Sequence, residues 1–584
     1  MNTNTVSFMS DIETRSTGVL VIGAGAAGLR AAIELHQRGV STIVLGKRAR
    51  DDAHTVLAAG GINAALATMD PEDTPLIHAA DTLREGRMLG DPRAVEILCR
   101  EAPRAIEELV EWGADFARDD DGRLLQRYFG AHRYRRTCFS GDVTGKAVLF
   151  ALLAEADRRA IEIVGGVYVT GLLRDADGIC GAVGIQLADG RPIIFAARAV
   201  LLAAGGHIRV YRRSSSRIGE NTGDGMALAF RAGAELMDME MVQFHPTGMV
   251  SPPDLEGTLV TEAVRGEGGI LTNAGGERFM RRYDPDRLEL STRDRVALAI
   301  ATEIREGRGT PANAVYLSLG HVAPEVIAER LPRMLAQFRD VGIDITREPM
   351  EVAPTAHYSM GGVRVRPETH ATTIPGLFAA GEVTAGVHGA NRLGGNSLAE
   401  CVVFGRIAAT AAADWSGNRG APVLDAAQIA EGLQPLAHGE SDPAAAPALA
   451  AELRALMWSD AGLLRDDATL RDAIIRIEDL EERAHALDGH GLCGQALAAA
   501  LDLPNLLITA RATVLSALTR TESRGAHQRS DHPDTDPTWL RNIICHRDNG
   551  SITVHIEPVS APSADLAAAL RDTDRIPVTH HGLE

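Results

Sequence analysis

Gly23, Gly25 and Gly28 stand in G-x-G-x-x-G spacing directly after the apolar run Val19–Ile22. Gly23 permits a tight turn, Gly25 lets a pyrophosphate approach the backbone, and Gly28 lets the next helix pack close to the sheet. The free N–H groups and positive dipole end of a helix starting near Ala26 would face the phosphates. The chemistry of this stretch is therefore dinucleotide binding. A second group of reactive residues gathers farther on. His245, Thr261, Glu262, Arg265 and Arg293 fall within 241–352, and His357 and Arg392 follow. Glu262 and Arg265 lie three apart and would share a face if helical. His245 precedes Pro-Thr-Gly, His357 precedes Tyr-Ser-Met-Gly-Gly, and Arg392 has glycines on both sides, which suggests close approach of a ligand.

These residues need elements to hold them. Val19–Ile22 predicts a buried strand, Leu29–Arg38 a helix and Ser41–Leu45 a second strand, together a βαβ unit with the glycines at its first turn. Two more apolar runs, 199–206 and 376–383, also end in glycine, and Asn221-Thr-Gly-Asp224-Gly225 precedes a helix. Three such strand ends, far apart in sequence, imply one sheet built discontinuously, with one extended ligand along its C-terminal edge. Helices are predicted over 91–112, 145–160, 468–487 and 505–523, short strands within 161–185 and over 551–557, and a glycine-containing loop over 126–132. The fold class is α/β. A Rossmann-like domain (1–240 and 353–420) would carry an inserted α+β capping domain (241–352), then a helical domain (421–530) and a tail region (531–584).

Composition narrows the function. The 584 residues are 45% hydrophobic and 23% charged, with a net charge of −19. That charge argues against a nucleic-acid partner or a general acidic-membrane surface, while leaving room for a local basic pocket. Six cysteines, none in C-x-x-C, fit no zinc or iron–sulfur ligand set, so no metal site is expected and the thiols are expected reduced. The first 17 residues lack the apolar centre of a secretory signal, and no run of 18 apolar residues predicts a membrane span. A cytoplasmic protein is expected, with membrane docking only through partners. A plain NAD site would place an acid after the second strand; Gly46-Lys47 stands there and leaves the dinucleotide's identity open.

Several motifs together resemble the flavoprotein subunits of succinate dehydrogenase and fumarate reductase, with L-aspartate oxidase as the close relative. They are His54-Thr-Val with Ala-Gly-Gly-Ile, Gln243-Phe-His245-Pro-Thr-Gly248, Thr261-Glu262-Ala-Val-Arg265-Gly-Glu-Gly-Gly269 and Arg293-Asp. To these add His357-Tyr-Ser-Met-Gly-Gly362, Gly389-Ala-Asn-Arg392-Leu-Gly-Gly-Asn396-Ser-Leu398 and Arg520-Thr-Glu-Ser-Arg-Gly-Ala-His527. They span nearly the whole chain in the family's order. The resemblance implies FAD, held by Gly23, Gly25, Ala26, Gly28, Lys47, His54, Thr55, Gly60, Gly61, Gly205, Asp224, Glu382, Asn396, Ser397 and Leu398. His54 matches the histidine that carries FAD covalently in membrane-bound members, although Asp52-Ala53 stands where the family has Arg-Ser. The implied reaction interconverts succinate and fumarate. His245, Thr261, His357 and Arg392 match the dicarboxylate-binding positions, Arg293 the proton donor, and Glu262 and Arg265 its relay to solvent. Arginine is an unusual acid, losing its proton only above about pH 12. It can serve here because hydride delivery to fumarate builds carbanion character, a very strong base, beside a carboxylate.

Two other functions compete. An L-aspartate oxidase would carry a glutamate for the substrate ammonium in the loop around Tyr128-Phe129-Gly130; this chain aligns Phe129 there. A non-catalytic flavin electron-relay protein would not need Arg293, His245, His357 and Arg392 together. The chain has no cluster ligands of its own, so an iron–sulfur partner subunit, and through it a membrane anchor, is expected to take or supply the electrons.

Overall fold

Strand Glu13–Ile22 runs through a seven-stranded sheet. Glu13 to Thr17 are only partly covered, whereas Gly18 to Ile22 are all buried. A continuous apolar run is what a parallel strand sheathed by helices on both faces requires. Its neighbours are Thr42–Gly46 on one side and Pro192–Leu202 on the other, both parallel to it. Glu162–Gly165 extends the sheet beyond Thr42–Gly46, and Leu377–Ala379 pairs in parallel with the end of Pro192–Leu202. Antiparallel strands Gly178–Gln186 and Val167–Asp175 complete it. Segments more than 300 residues apart in sequence thus end side by side at one sheet edge. The computed structural model describes residues 12–129, 131–436, 442–487 and 489–572. Most of the N-terminal stretch, Gly130 of the expected loop, parts of 421–530 and the end of the tail lie outside them.

The first crossover helix is Ala26–Gln37, three residues earlier at its start than its apolar pattern suggests. The shift follows from the glycines. Gly23 sits at φ +121, a conformation closed to ordinary side chains, and a Cβ on Gly28 would lie 1.8 Å from the Gly23 carbonyl oxygen. Strand and helix can therefore meet with no intervening side chain. Helix Asn396–Gly417 packs beside Ala26–Gln37, and both enter one core with Leu29, Ile33, Val402 and Phe404.

The insertion has its own sheet. Val242–Met249 pairs antiparallel with Met350–Ser359, which pairs with Val315–Ser318, which pairs with Ile270–Thr272. Helices Arg293–Arg305 and Pro332–Arg339 bury Val296, Ile300, Met334 and Phe338 in a separate core with these strands. The strands that enter and leave the insertion are thus hydrogen-bonded neighbours.

Helices Ala445–Asp460, Asp467–His485 and Gly494–Thr519 then share a core through Leu453, Leu470, Ile477, Leu506 and Val514. The 26-residue helix Gly494–Thr519 is long and apolar enough to cross a membrane, although no unbroken apolar run announces it; 67% of its most apolar window is buried inside the fold. It begins 11 residues before the predicted 505, with Pro504 in its interior. The expected strand over 551–557 is Ser551–Pro558, one arm of a hairpin with Arg541–Asp548 that joins Leu236–Met237 and Gly362–Val363 in a sheet. The architecture is a Rossmann-like α/β domain, interrupted by an α+β insertion and followed by helices.

Candidate active site

One continuous cavity of about 1190 Å³ reaches both groups of reactive residues. Gly23, Gly25, Ala26, Lys47, Gly205 and Asp224 line it, as do His245, Thr261, Glu262, Arg293, His357 and Arg392. His54, Thr55, Gly60, Gly61, Glu382, Ser397 and Leu398 line it as well. Gly28, Arg265 and Asn396 stand behind its wall. Gly28 serves the helix–strand contact described above. Asn396 is buried and holds the wall from behind, bonding His78 Nε2 at 2.9 Å and donating to Thr82 Oγ1 at 3.0 Å.

Strand pairing unites the two histidines. His245 lies opposite Thr355, and Gln243 opposite Tyr358, so residues on the entry and exit strands share one face. The imidazoles meet edge to face with centroids 5.4 Å apart. His245 Nδ1 accepts from the Thr247 backbone N–H at 3.3 Å, and His357 Nδ1 bonds Ser215 Oγ at 3.0 Å. Burial holds both rings well below the usual histidine range; Arg293 adds to this most for His245, and Arg392 for His357. Both are therefore neutral at pH 7, able to donate one hydrogen bond each without titrating.

Three guanidiniums surround them. Arg392 is buried, donates to Gln243 Oε1 at 3.0 Å and to Ser397 Oγ at 3.3 Å, and lies 4.4 Å from the Tyr358 ring centroid. Its Nε has no partner among the described residues. Burial, then the nearby Arg293, push its pKa down to about 10. Arg293 opens the helix Arg293–Arg305 and donates from Nε to Glu262 Oε2 at 2.9 Å, while its Nη1 has no partner among the described residues. Arg265, also buried, donates to the Glu289 carbonyl at 2.5 Å and approaches Glu262 Oε2 at 3.8 Å. Glu262 and Arg265 begin and nearly end the short helix Glu262–Gly266, which puts the Glu262 carboxylate between two guanidiniums. Buried donors left without acceptors are costly, and a bound anion would relieve that cost. Two such arginines facing one cavity, with two neutral imidazoles and the Thr261 hydroxyl, suit a small dianion.

At the nucleotide-binding residues Lys47 is not a free cation. It donates to Thr222 Oγ1 at 3.1 Å and to Asp224 at 3.0 Å, and it contacts Asp502. Thr55 Oγ1 accepts from the Ala26 N–H at 3.1 Å, at the start of the glycine-turn helix. His54 Nδ1 bonds Glu220 Oε2 at 3.1 Å. Burial alone would raise Glu220, but bonds from His54 and Arg217 hold it at about 2. Burial lifts Glu382 to about 7, even though it accepts the Ser359 N–H at 3.1 Å.

Sequence reasoning passed over several of these groups. Asp502 reaches Lys47 across 455 residues, and no local motif could announce it. Glu220 adjoins the Asn221-Thr-Gly-Asp224 turn, which was a usable signal. Gln243 opens the Gln-Phe-His-Pro-Thr-Gly motif, but only the contact with Arg392 gives it a task. Arg127 also lines the cavity and donates to the Gly60 carbonyl at 2.6 Å. The Phe129 ring sits so close to Gly60 and Gly394 that a Cβ on either would meet it, at 2.6 and 2.4 Å. It also lies 5.7 Å from the Arg293 guanidinium.

Comparison with known proteins follows the same division of the chain. The family model described as "FAD binding domain" matches residues 18–398, and that described as "Fumarate reductase flavoprotein C-term" matches residues 450–572. The chain is 49% identical to a CoM/CoB fumarate reductase subunit of Methanothermobacter marburgensis, over 91% of this chain and 97% of that one. It is 39% identical to an L-aspartate oxidase of Streptomyces coelicolor, over 97% of this chain and 95% of that one. The solved structure of Mycobacterium smegmatis Sdh1 in complex with UQ1 superposes with a TM-score of 0.86 at 39% identity, covering 94% of this chain and 95% of that one.

Proposed function

The chain belongs to the succinate dehydrogenase and fumarate reductase flavoprotein family, and from that premise we propose that it interconverts succinate and fumarate. The cofactor is FAD, and the cavity suits it: Gly23, Gly25 and Ala26 line it at the start of the helix Ala26–Gln37, where only the small Thr55 hydroxyl approaches, accepting from the Ala26 N–H. When bound, FAD supplies the acceptor or donor of the hydride. Gly23, Gly25 and Ala26 would hold its pyrophosphate, Lys47 and Asp224 its nucleotide end, and Gly60, Gly61, Ser397 and Leu398 the walls around its ring.

The chain's own residues supply orientation and a proton. Reduction of fumarate adds a hydride to one olefinic carbon and a proton to its neighbour; oxidation of succinate reverses both. Arg392 would grip one carboxylate in a planar fork, while His245, His357 and Thr261 donate to the other. Arg293 would carry the proton, with its unpartnered Nη1 turned to the substrate and its Nε on Glu262. Glu262 can return a proton to Arg293, and Arg265 holds Glu262 from its far side. In this reading the segment 241–352 is the cap that excludes water from the substrate.

The observation that carries this reading is the pairing of two incompletely bonded arginines, Arg392 buried and Arg293 half-buried, with two neutral histidines around one cavity. The rival with a specific observation behind it is L-aspartate oxidase, given the 39% identity to one. Phe129 favours succinate and fumarate, because an apolar ring stands where the ammonium of L-aspartate would need a carboxylate. Steady-state turnover with an artificial electron acceptor separates them. Succinate should be oxidised and L-aspartate left unchanged; turnover of L-aspartate alone, with hydrogen peroxide and ammonia released, overturns the proposal.

Two further parts of the reading are open to direct test. Glu220 engages His54 Nδ1, which leaves Nε2 as the nitrogen available for a covalent bond to FAD. Denaturing mass spectrometry should find the mass of FAD on the peptide around His54; an unmodified peptide would refute the linkage. Electrons would pass to or from an iron–sulfur partner subunit, and through it a membrane anchor would hold the assembly on the inner face of a membrane. A partner-free chain that reduces oxygen efficiently would count against such a partner.

A further inference from the structure

Glu85 ends the helix Pro75–Glu85 and is buried, yet none of the roles above uses it. A directed set of hydrogen bonds leads to it from the candidate substrate arginine. Arg392 Nη2 donates to Gln243 Oε1 at 3.0 Å, Gln243 Nε2 donates to Asn391 Oδ1 at 2.8 Å, and Asn391 Nδ2 donates to Glu85 Oε1 at 2.6 Å. Every donor points the same way, so the carboxyl oxygen of Glu85 is the terminal acceptor. That acceptor orients Asn391 directly and supports Gln243 through it, beside the bond that Gln243 Nε2 donates to the Arg392 carbonyl at 3.0 Å. With Asn391 held, its carbonyl faces Gln243; with Gln243 held, its carbonyl faces Arg392. Remove the acceptor and Asn391 can turn an N–H toward Gln243, which weakens the hold of Gln243 on the guanidinium.

The same carboxyl lies in the field of the proton-handling residues. The charged groups around it are Asp294 and Arg293 from the helix Arg293–Arg305, Glu262 from the helix Glu262–Gly266, and Arg87 just beyond its own helix. Arg87 pairs with Asp294 at 2.6 Å. Burial, then the charge of Asp294, raise Glu85 to about 8, against the opposing pull of Arg87 and Arg293. The group is thus neutral at pH 7 and becomes an anion as the solution turns mildly alkaline.

We propose that Glu85 is a positioning residue of the dicarboxylate site: its carboxyl oxygen anchors the Asn391–Gln243 relay that orients Arg392, and its charge sets how strongly the arginines attract a dianion. The proposal rests on the reading of Arg392 as a substrate clamp. Its sign is fixed by electrostatics. Protonated Glu85 leaves the positive potential of Arg293 and Arg392 intact. Ionised Glu85 offsets part of it, so a dianion binds more weakly as pH rises.

The test uses malonate, a non-oxidisable dicarboxylate, and reads its Kd from the flavin absorbance change of the FAD-loaded protein between pH 6.5 and 9. The unmodified protein should lose about fivefold to tenfold in affinity across this range. Glu85→Gln keeps an acceptor oxygen but cannot ionise; it should bind malonate within about twofold of the unmodified protein at pH 6.5 and show little further loss to pH 9. Glu85→Ala removes the acceptor and should bind about tenfold more weakly throughout. The glutamine variant, being nearly isosteric, keeps the test decisive if the alanine variant fails to load FAD. A glutamine variant with the unmodified pH dependence, or one as weak as the alanine variant at pH 6.5, overturns the proposal. Arg392→Ala measured alongside separates the two claims. If it binds malonate normally, the clamp reading itself has failed; if it loses binding while Glu85→Gln titrates like the unmodified protein, only the role of Glu85 has failed.

Discussion

Substituting Arg293→Ala is expected to lower turnover of succinate and fumarate by about 10³-fold to 10⁴-fold while FAD stays bound. A positioned proton donor accounts for about 10²-fold to 10⁴-fold in rate, and this site offers no ready substitute. His245 and His357 are held neutral by burial, well below the usual histidine range, so at pH 7 they carry no second proton to give. Arg265 is buried behind Glu262 and does not line the cavity. The alanine variant also takes from the Glu262 carboxylate its 2.9 Å bond from Arg293 Nε. Arg293→Lys should recover little, because a point charge on a flexible stem cannot face Glu262 and the substrate together. Rapid-quench turnover, alongside the flavin absorbance of the purified variant, checks both halves. Loss of FAD with loss of activity would mean that Arg293 is structural; retained turnover would remove it from the chemistry.

Arg392→Ala should act mainly on binding, lowering kcat/KM by about 10²-fold to 10³-fold. Truncating one partner of a buried, hydrogen-bonded charge pair costs about 2–5 kcal/mol, and Arg392 would make such a pair with a substrate carboxylate. Its carbonyl and side chain both engage Gln243, so the backbone position should persist after truncation. The rise should appear in KM and in the Kd for malonate more than in kcat. A fall in kcat alone would place Arg392 in the proton transfer instead of the clamp.

Local rules carried the nucleotide half of the site. The turn is written within six residues, since a Cβ on Gly28 would lie 1.8 Å from the Gly23 carbonyl oxygen, although the close approach of Ala203 to Gly23 is long-range. The helix Pro92–Glu111 was legible for the same reason, since Asp91 accepts from the Arg93 and Ala94 N–H groups and Pro92 occupies the first turn. The substrate half depends on pairing between distant strands. Nothing in the residues around 245 or 357 states that the two strands are neighbours, and motif resemblance alone put both histidines in one site. The helix predicted over 505–523 begins at Gly494 and carries Pro504 inside it, because packing of the helix in a shared core outweighs the local cost of the proline. Glu85 was the least legible of all. An acid at a helix end ordinarily meets water, and only the packing of Asn391 and the Arg293 helix around it gives it a task.

One cavity lets FAD exchange a hydride with succinate and fumarate, four-carbon dicarboxylates that carry no amine. Anaerobic titration of the FAD-loaded chain, followed by the visible absorbance of the flavin, tests it without any partner or acceptor. Succinate should bleach the flavin, fumarate should restore the colour, and L-aspartate should do neither. A flavin bleached by L-aspartate and untouched by succinate would contradict the account.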